Sequence, residues 1–146
     1  LVRATASRIP GARFEIIAGA GHIPSIDQPA VLASLIRRHI EEHFIELQSA
    51  EEVAQRCHMT PVHLSRLFRR FAHGTPYHFL MRLKMNRAAE SLLDSGLMVK
   101  EVAAQLGFSS QFQFSRAFKR VYGVCPDHFI HRSPRHGAGW SINRAA

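Results

Sequence analysis

Residues 59–71 read MTPVHLSRLFRRF, and residues 108–121 read FSSQFQFSRAFKRV. Extended upstream, the two stretches become SAEEVAQRCHMTPVHLSRLFRRF and MVKEVAAQLGFSSQFQFSRAFKRV. Each holds an EVA segment, a short turn, and a second segment ending in Phe, a basic residue and Arg. In the first copy Leu64, Leu67, Phe68 and Phe71 fall at i, i+3, i+4 and i+7, one apolar helical stripe. Phe114, Ala117, Phe118 and Val121 repeat that spacing, so the apolar backs match residue for residue. At 100° per residue the opposite faces carry Val62, Ser65, Arg66 and Arg69, and Phe112, Ser115, Arg116 and Lys119. An apolar back with a basic, hydroxyl-bearing front packs on a core while facing phosphates and base edges. Each copy therefore reads as a helix-turn-helix. A solenoid repeat would need three or more copies and no one-sided basic face.

The start signals agree. Ser49 to Glu52 spells a capping box ahead of Val53 and Ala54. Thr60 precedes Pro61, and Thr75 precedes Pro76, each pair a cap followed by proline at the first helical position. Gly107 supplies the tight turn of the second copy, where the first copy has His58. Histidine tolerates a left-handed backbone less well than glycine, so a differently shaped turn is expected there. The second copy also has one extra residue between its turn and its Ser-Arg pair.

Between the copies, Tyr77 to Ser95 holds good helix formers without Gly or Pro. Met81, Met85, Ala88 and Leu92 form one stripe, broadened by Phe79, Leu80 and Leu83. Apolar surface on several sides suits a helix clasped by two subdomains. A helix over residues 76–94 is a rod of roughly 28 Å, comparable with the ~34 Å between successive major-groove faces of B-DNA.

Composition narrows the partner. A hydrophobic fraction of 46% in 146 residues suits one modest globular domain and is too high for general disorder. No apolar run approaches the roughly 18 residues of a membrane helix. Two cysteines, Cys57 and Cys125, make neither a disulfide framework nor a zinc ligand set and suit a reducing cytoplasm. The net charge of +8 is concentrated: residues 60–132 hold eleven Lys and Arg against Glu90, Asp94, Glu101 and Asp127. Such a basic region calls for a polyanion, with nucleic acid ahead of a membrane surface.

From Val31 to Arg132 the chain resembles the DNA-binding domain of AraC-type bacterial transcription regulators. EEVAQRCHMTPVHLSRLFRRF, KMNRAAESLL, KEVAAQLGFSSQFQFSRAFKRVYG and CPDHF carry the resemblance, closing on Gly-x-x-Pro-x-x-Phe at residues 123–129. It implies an all-α fold of about seven helices: subdomains near 31–74 and 97–132, joined by a linker helix at 76–94. It also implies helices near 61–71 and 110–121 in the major groove. Val62, Ser65, Arg66, Gln111, Phe112, Ser115 and Arg116 then become base readers. Arg69, Arg70, Lys84 and Lys119 become phosphate partners. The implied partners are double-stranded DNA and RNA polymerase, with no cofactor and no catalysis. Two departures concern turns: Cys125 replaces the family's serine before Pro126, and the glycine expected at His73 falls at Gly74. Because the two fronts differ, the expected target has two unlike halves.

Residues 8–32, RIPGARFEIIAGAGHIPSIDQPAVL, stand outside that pattern. ARFEIIAGAGH reads as one strand and a Gly-flanked His, and resembles the last strand and catalytic-histidine loop of α/β-hydrolases. Residues 1–30 are either the tail of such a domain fused to the regulator or a linker. His22 would be the general base of a Ser–His–acid triad. The chain has no G-x-S-x-G elbow, so His22 is read as idle. The chain opens on Leu1, not Met, and an upstream start is expected. His39 to His43 matches H-x-x-E-H in form, but reads as the polar side of a helix with Leu35, Ile36, Ile40 and Phe44 inward. Residues 133–146 read as a basic, disordered tail.

Overall fold

The computed structural model describes residues 28–132. His22 and the hydrolase-like segment up to residue 27, and the tail from Ser133, lie outside the described residues; the segment's last residues, 29–32, open α1. Within them the chain is all α: α1 Pro29–His43, α2 Ala50–Arg56, α3 Pro61–Phe71, α4 Pro76–Asp94, α5 Val99–Gln105, α6 Gln111–Tyr122 and α7 Pro126–Arg132.

Side-chain caps start α2, α3, α4 and α6. Ser49 Oγ accepts from Glu52 N–H, Thr60 Oγ1 from His63 N–H, Thr75 Oγ1 from His78 N–H and Ser110 Oγ from Gln113 N–H. Each satisfies an amide that the first turn leaves without a partner. The capping box at α2 is displaced by one residue, since the Glu52 carboxylate accepts from Gln48 N–H at 2.7 Å.

Both helix-turn-helix turns close in the same way, which corrects the expectation for His58. Met59 N–H bonds back to Ala54 O at 2.8 Å and His58 N–H to Gln55 O at 3.0 Å. Phe108 N–H bonds to Ala103 O and Gly107 N–H to Ala104 O, both at 3.0 Å. This paired closure requires a left-handed residue. His58 adopts it at φ 53° and Gly107 at φ 76°. The two backbone bonds and the packing of the flanking helices outweigh histidine's local preference. His73 likewise takes φ 51° where the second copy has Gly123 at φ 77°. The extra residue of the second copy is Ser109, placed in the turn before the Ser110 cap, so α3 and α6 stay in register from cap to last turn.

Two cores result. The first gathers Ile36 and Ile40 of α1, Val53 and Ala54 of α2, and Leu64, Leu67 and Phe68 of α3. The second gathers Val102 and Ala103 of α5, Phe114 and Phe118 of α6, and Phe129 of α7. The linker helix α4 serves both, giving Leu80 and Met81 to the first and Met85, Ala88, Ala89 and Leu92 to the second. The repeated stripe diverges at its last position: Phe71 is partly buried, whereas Val121 is 41% exposed. Tyr122 closes the second core instead, its ring 4.7 Å from Phe118 and 5.1 Å from Phe129.

Candidate nucleic-acid interface

On α3 the buried Leu64, Leu67 and Phe68 fix the helix against the first core. That rotation turns the other face outward. Val62 in the first turn is 68% exposed, and Phe112, its counterpart on α6, is 69% exposed. Single exposed apolar side chains are ordinary; here they recur at the matched first-turn position of two helices whose fronts are otherwise basic. Behind them Ser65 and Ser115 are half-buried, while Arg66, Arg69, Arg70, Gln111, Arg116 and Lys119 are exposed. Arg70 of α3 has a counterpart in α6 that the sequence reading did not single out, the exposed Arg120.

No carboxylate among the described residues neutralises the charge on these faces. Among the described residues, the ion pairs join His43 and Arg56 to Glu46, and Arg87 to Glu90. No carboxylate of the described residues pairs with the cations of α3 or α6. Pro61, Val62, Ser65, Arg66, Arg69 and Arg70 line an open groove along α3. On α6 the Arg116 guanidinium lies 5.7 Å from the centre of the Phe112 ring. At an exposed site such a cation–π contact is worth about 0.5–1 kcal/mol, enough to bias the side chain toward the helix front. The basic residues of each last turn also sit favourably at the negative end of the helix dipole.

Lys84 corrects the sequence expectation. It was expected among the phosphate partners, but it is fully buried in the middle of α4 and reaches no outer surface. Its ammonium donates to Leu106 O at 2.8 Å, Gln48 Oε1 at 3.2 Å and Ile45 O at 3.4 Å. Burial pushes its pKa down from 10.5 to about 8, and the Glu52 carboxylate acts in the opposite direction. The signal was present in the spacing: Leu80, Lys84, Ala88 and Leu92 share one i, i+4 row. Counting charge without placing it on the helix face hid this. Among the described residues no cluster of three or more His, Cys, Asp or Glu side chains is placed to hold a metal ion.

Comparison with known proteins decides the family. Residues 53–132 match the model of a helix-turn-helix domain family. The chain belongs to the AraC-type helix-turn-helix family. Within this AraC-type group, the chain is 28% identical over 120 residues to the HTH-type transcriptional regulator AlkR of Acinetobacter baylyi, covering 77% of this chain and 39% of AlkR. The chain thus spans about two-fifths of the length of that relative. The solved C-terminal domain of AraT, a response regulator from Geobacillus stearothermophilus, is 30% identical with a TM-score of 0.66, covering 77% of this chain and 94% of that one. The DNA-binding domain of the global transcriptional factor AdpA, solved in complex with a target DNA, is 26% identical with a TM-score of 0.61, covering 68% and 89%.

Proposed function

We propose that this chain is the sequence-specific DNA-reading part of a transcription regulator, setting α3 and α6 into adjacent major grooves of an asymmetric site. One observation carries the reading: two register-matched helices, each anchored by an apolar back, each presenting a basic and hydroxyl front that no carboxylate of the described residues pairs with. On this reading Val62, Ser65, Arg66, Gln111, Phe112, Ser115 and Arg116 read bases. Arg66 and Arg116 act as bidentate partners of guanine, and Val62 and Phe112 suit the methyl of thymine. Arg69, Arg70 and Lys119, joined by Arg120, hold phosphates. The AdpA domain bound to its target DNA supports this use of the fold.

The chain acts by binding and not by catalysis, in the cytoplasm, with RNA polymerase as the further macromolecular partner of the regulator it belongs to. No helix of the described residues is long and apolar enough to cross a membrane. Salt-titrated binding with competitor DNA tests the reading. Several phosphate contacts make log K fall linearly with log salt, by about 0.9 per contact, and a specific duplex outcompetes random duplex by roughly a thousandfold or more. Equal affinity for all duplexes would reduce the chain to a generic polycation.

A further inference from the structure

We propose that Lys84 is a positioning residue that locks the two recognition helices into one relative orientation and so sets the spacing between the two halves of the DNA site. The proposal rests on the two-helix reading above.

Lys84 stands on α4 between Met81, which serves the first core, and Met85, which serves the second. Its acceptors come from both sides. Ile45 and Gln48 belong to the α1–α2 connection of the first subdomain, and Leu106 to the turn of the second helix-turn-helix. Three donors on one ammonium meet three acceptors, one of them a side-chain amide that is itself held. Gln48 Nε2 donates to Ile45 O at 3.4 Å and Glu46 O at 3.3 Å. The same amide packs against Gly107, where a Cβ would collide with it. Phe108 completes the site, its ring centre 5.5 Å from the Lys84 ammonium.

The placement matters for the DNA-reading faces. Leu106 O opens the turn that runs through Gly107 to the Ser110 cap of α6, so fixing that carbonyl fixes the start of α6. Gln48 directly precedes the Ser49 cap of α2, which leads through its own turn to α3. An apolar residue at this junction would attract both subdomains without direction and allow them to slide. A buried ammonium is costly to leave unpaired, and its hydrogen bonds are directional, so one arrangement of the three acceptors satisfies it. A polar group buried at a junction as a device for setting registry has precedent in coiled coils.

The test uses the 146-residue chain. Wild-type protein selects a site from a random duplex pool, and affinity is measured on that duplex and on derivatives with one base pair inserted or removed between its halves. One base pair rotates the halves by roughly 35° and shifts them by about 3.4 Å. Wild type is expected to lose at least about tenfold on each derivative, because one half loses its base contacts. Lys84→Met, shown folded by circular dichroism, is expected to lose less than about threefold, within one base contact's worth. Gln48→Ala removes one acceptor from an exposed side chain and is expected to fall between them. Wild-type discrimination retained by both folded variants overturns the proposal. If Lys84→Met does not fold, Gln48→Ala alone decides in the same way. A wild-type chain that selects no site, or ignores the spacing change, overturns the two-helix reading itself and this proposal with it.

Discussion

Arg66 and Arg116 carry the heaviest claims at the residue scale. Both are exposed, both follow a half-buried serine, and neither is paired to a carboxylate of the described residues. Arg66→Ala and Arg116→Ala are each expected to cost about 1–3 kcal/mol of specific binding, and to relax base preference in one half of the site only. Competition binding against duplexes mutated in either half measures this, and equal relaxation of both halves would contradict the assignment. Lys84 makes a second, independent prediction. Its pKa in the fold is about 8 against 10.5 for an ordinary lysine, so between those values the unfolded chain holds a proton that the fold has released. Its contribution to stability is therefore full above about 10.5 and lost as pH falls through about 8. Burial raises the Tyr122 and Cys57 pKa values, which act with the opposite sign. The quantity to measure is the difference in urea-unfolding free energy between wild type and Lys84→Met, expected to move in favour of wild type from pH 8 to 10.5. A flat difference would mean that Lys84 is not desolvated.

At the scale of elements the two turns are the informative pair. They share one hydrogen-bond closure but not one residue type at the left-handed position, His58 in the first and Gly107 in the second. His58→Gly is expected to stabilise the chain by up to about 1 kcal/mol, since it removes the strain of a side chain in that conformation. Gly107→Ala is expected to destabilise by more than His58→Gly gains, because it adds that strain and pushes the Gln48 amide away from Lys84. Denaturant midpoints of the two variants should move in opposite directions, and movement in the same direction would contradict the account of the turns. The caps at Thr60 and Thr75 were legible because a hydroxyl followed by proline acts locally. The shape of the His58 turn was not, because it is set by backbone bonds and helix packing that outweigh the preference of one residue. Val121 was misread for a similar reason: the i+7 position is buried only if the neighbouring elements cover it, and Tyr122 with Phe129 closes that core first.

Over the whole molecule, the sequence repeat was enough to read the two subdomains and the helix between them, since apolar stripes follow from periodicity alone. How the subdomains are tied together was not readable in that way. It depends on Lys84 meeting carbonyls 22 and 39 residues away, a juxtaposition no local pattern announces. The exposed fronts of α3 and α6 were legible to the extent that the helices were: once the apolar back is fixed, the front follows by rotation. Asymmetry is the global consequence, because Val62 faces outward where the other copy has Phe112, and Pro61 where it has Gln111. The central claim is that one chain reads two unlike half-sites in adjacent major grooves on one side of the duplex. Base-contact interference mapping on a duplex selected by the wild-type chain tests it most directly. The account expects two protected major-groove segments with different sequences, centred about one helical turn, 10–10.5 base pairs, apart, one vanishing with Arg66→Ala and the other with Arg116→Ala. A single protected segment, or two identical ones that respond alike to both substitutions, would contradict it.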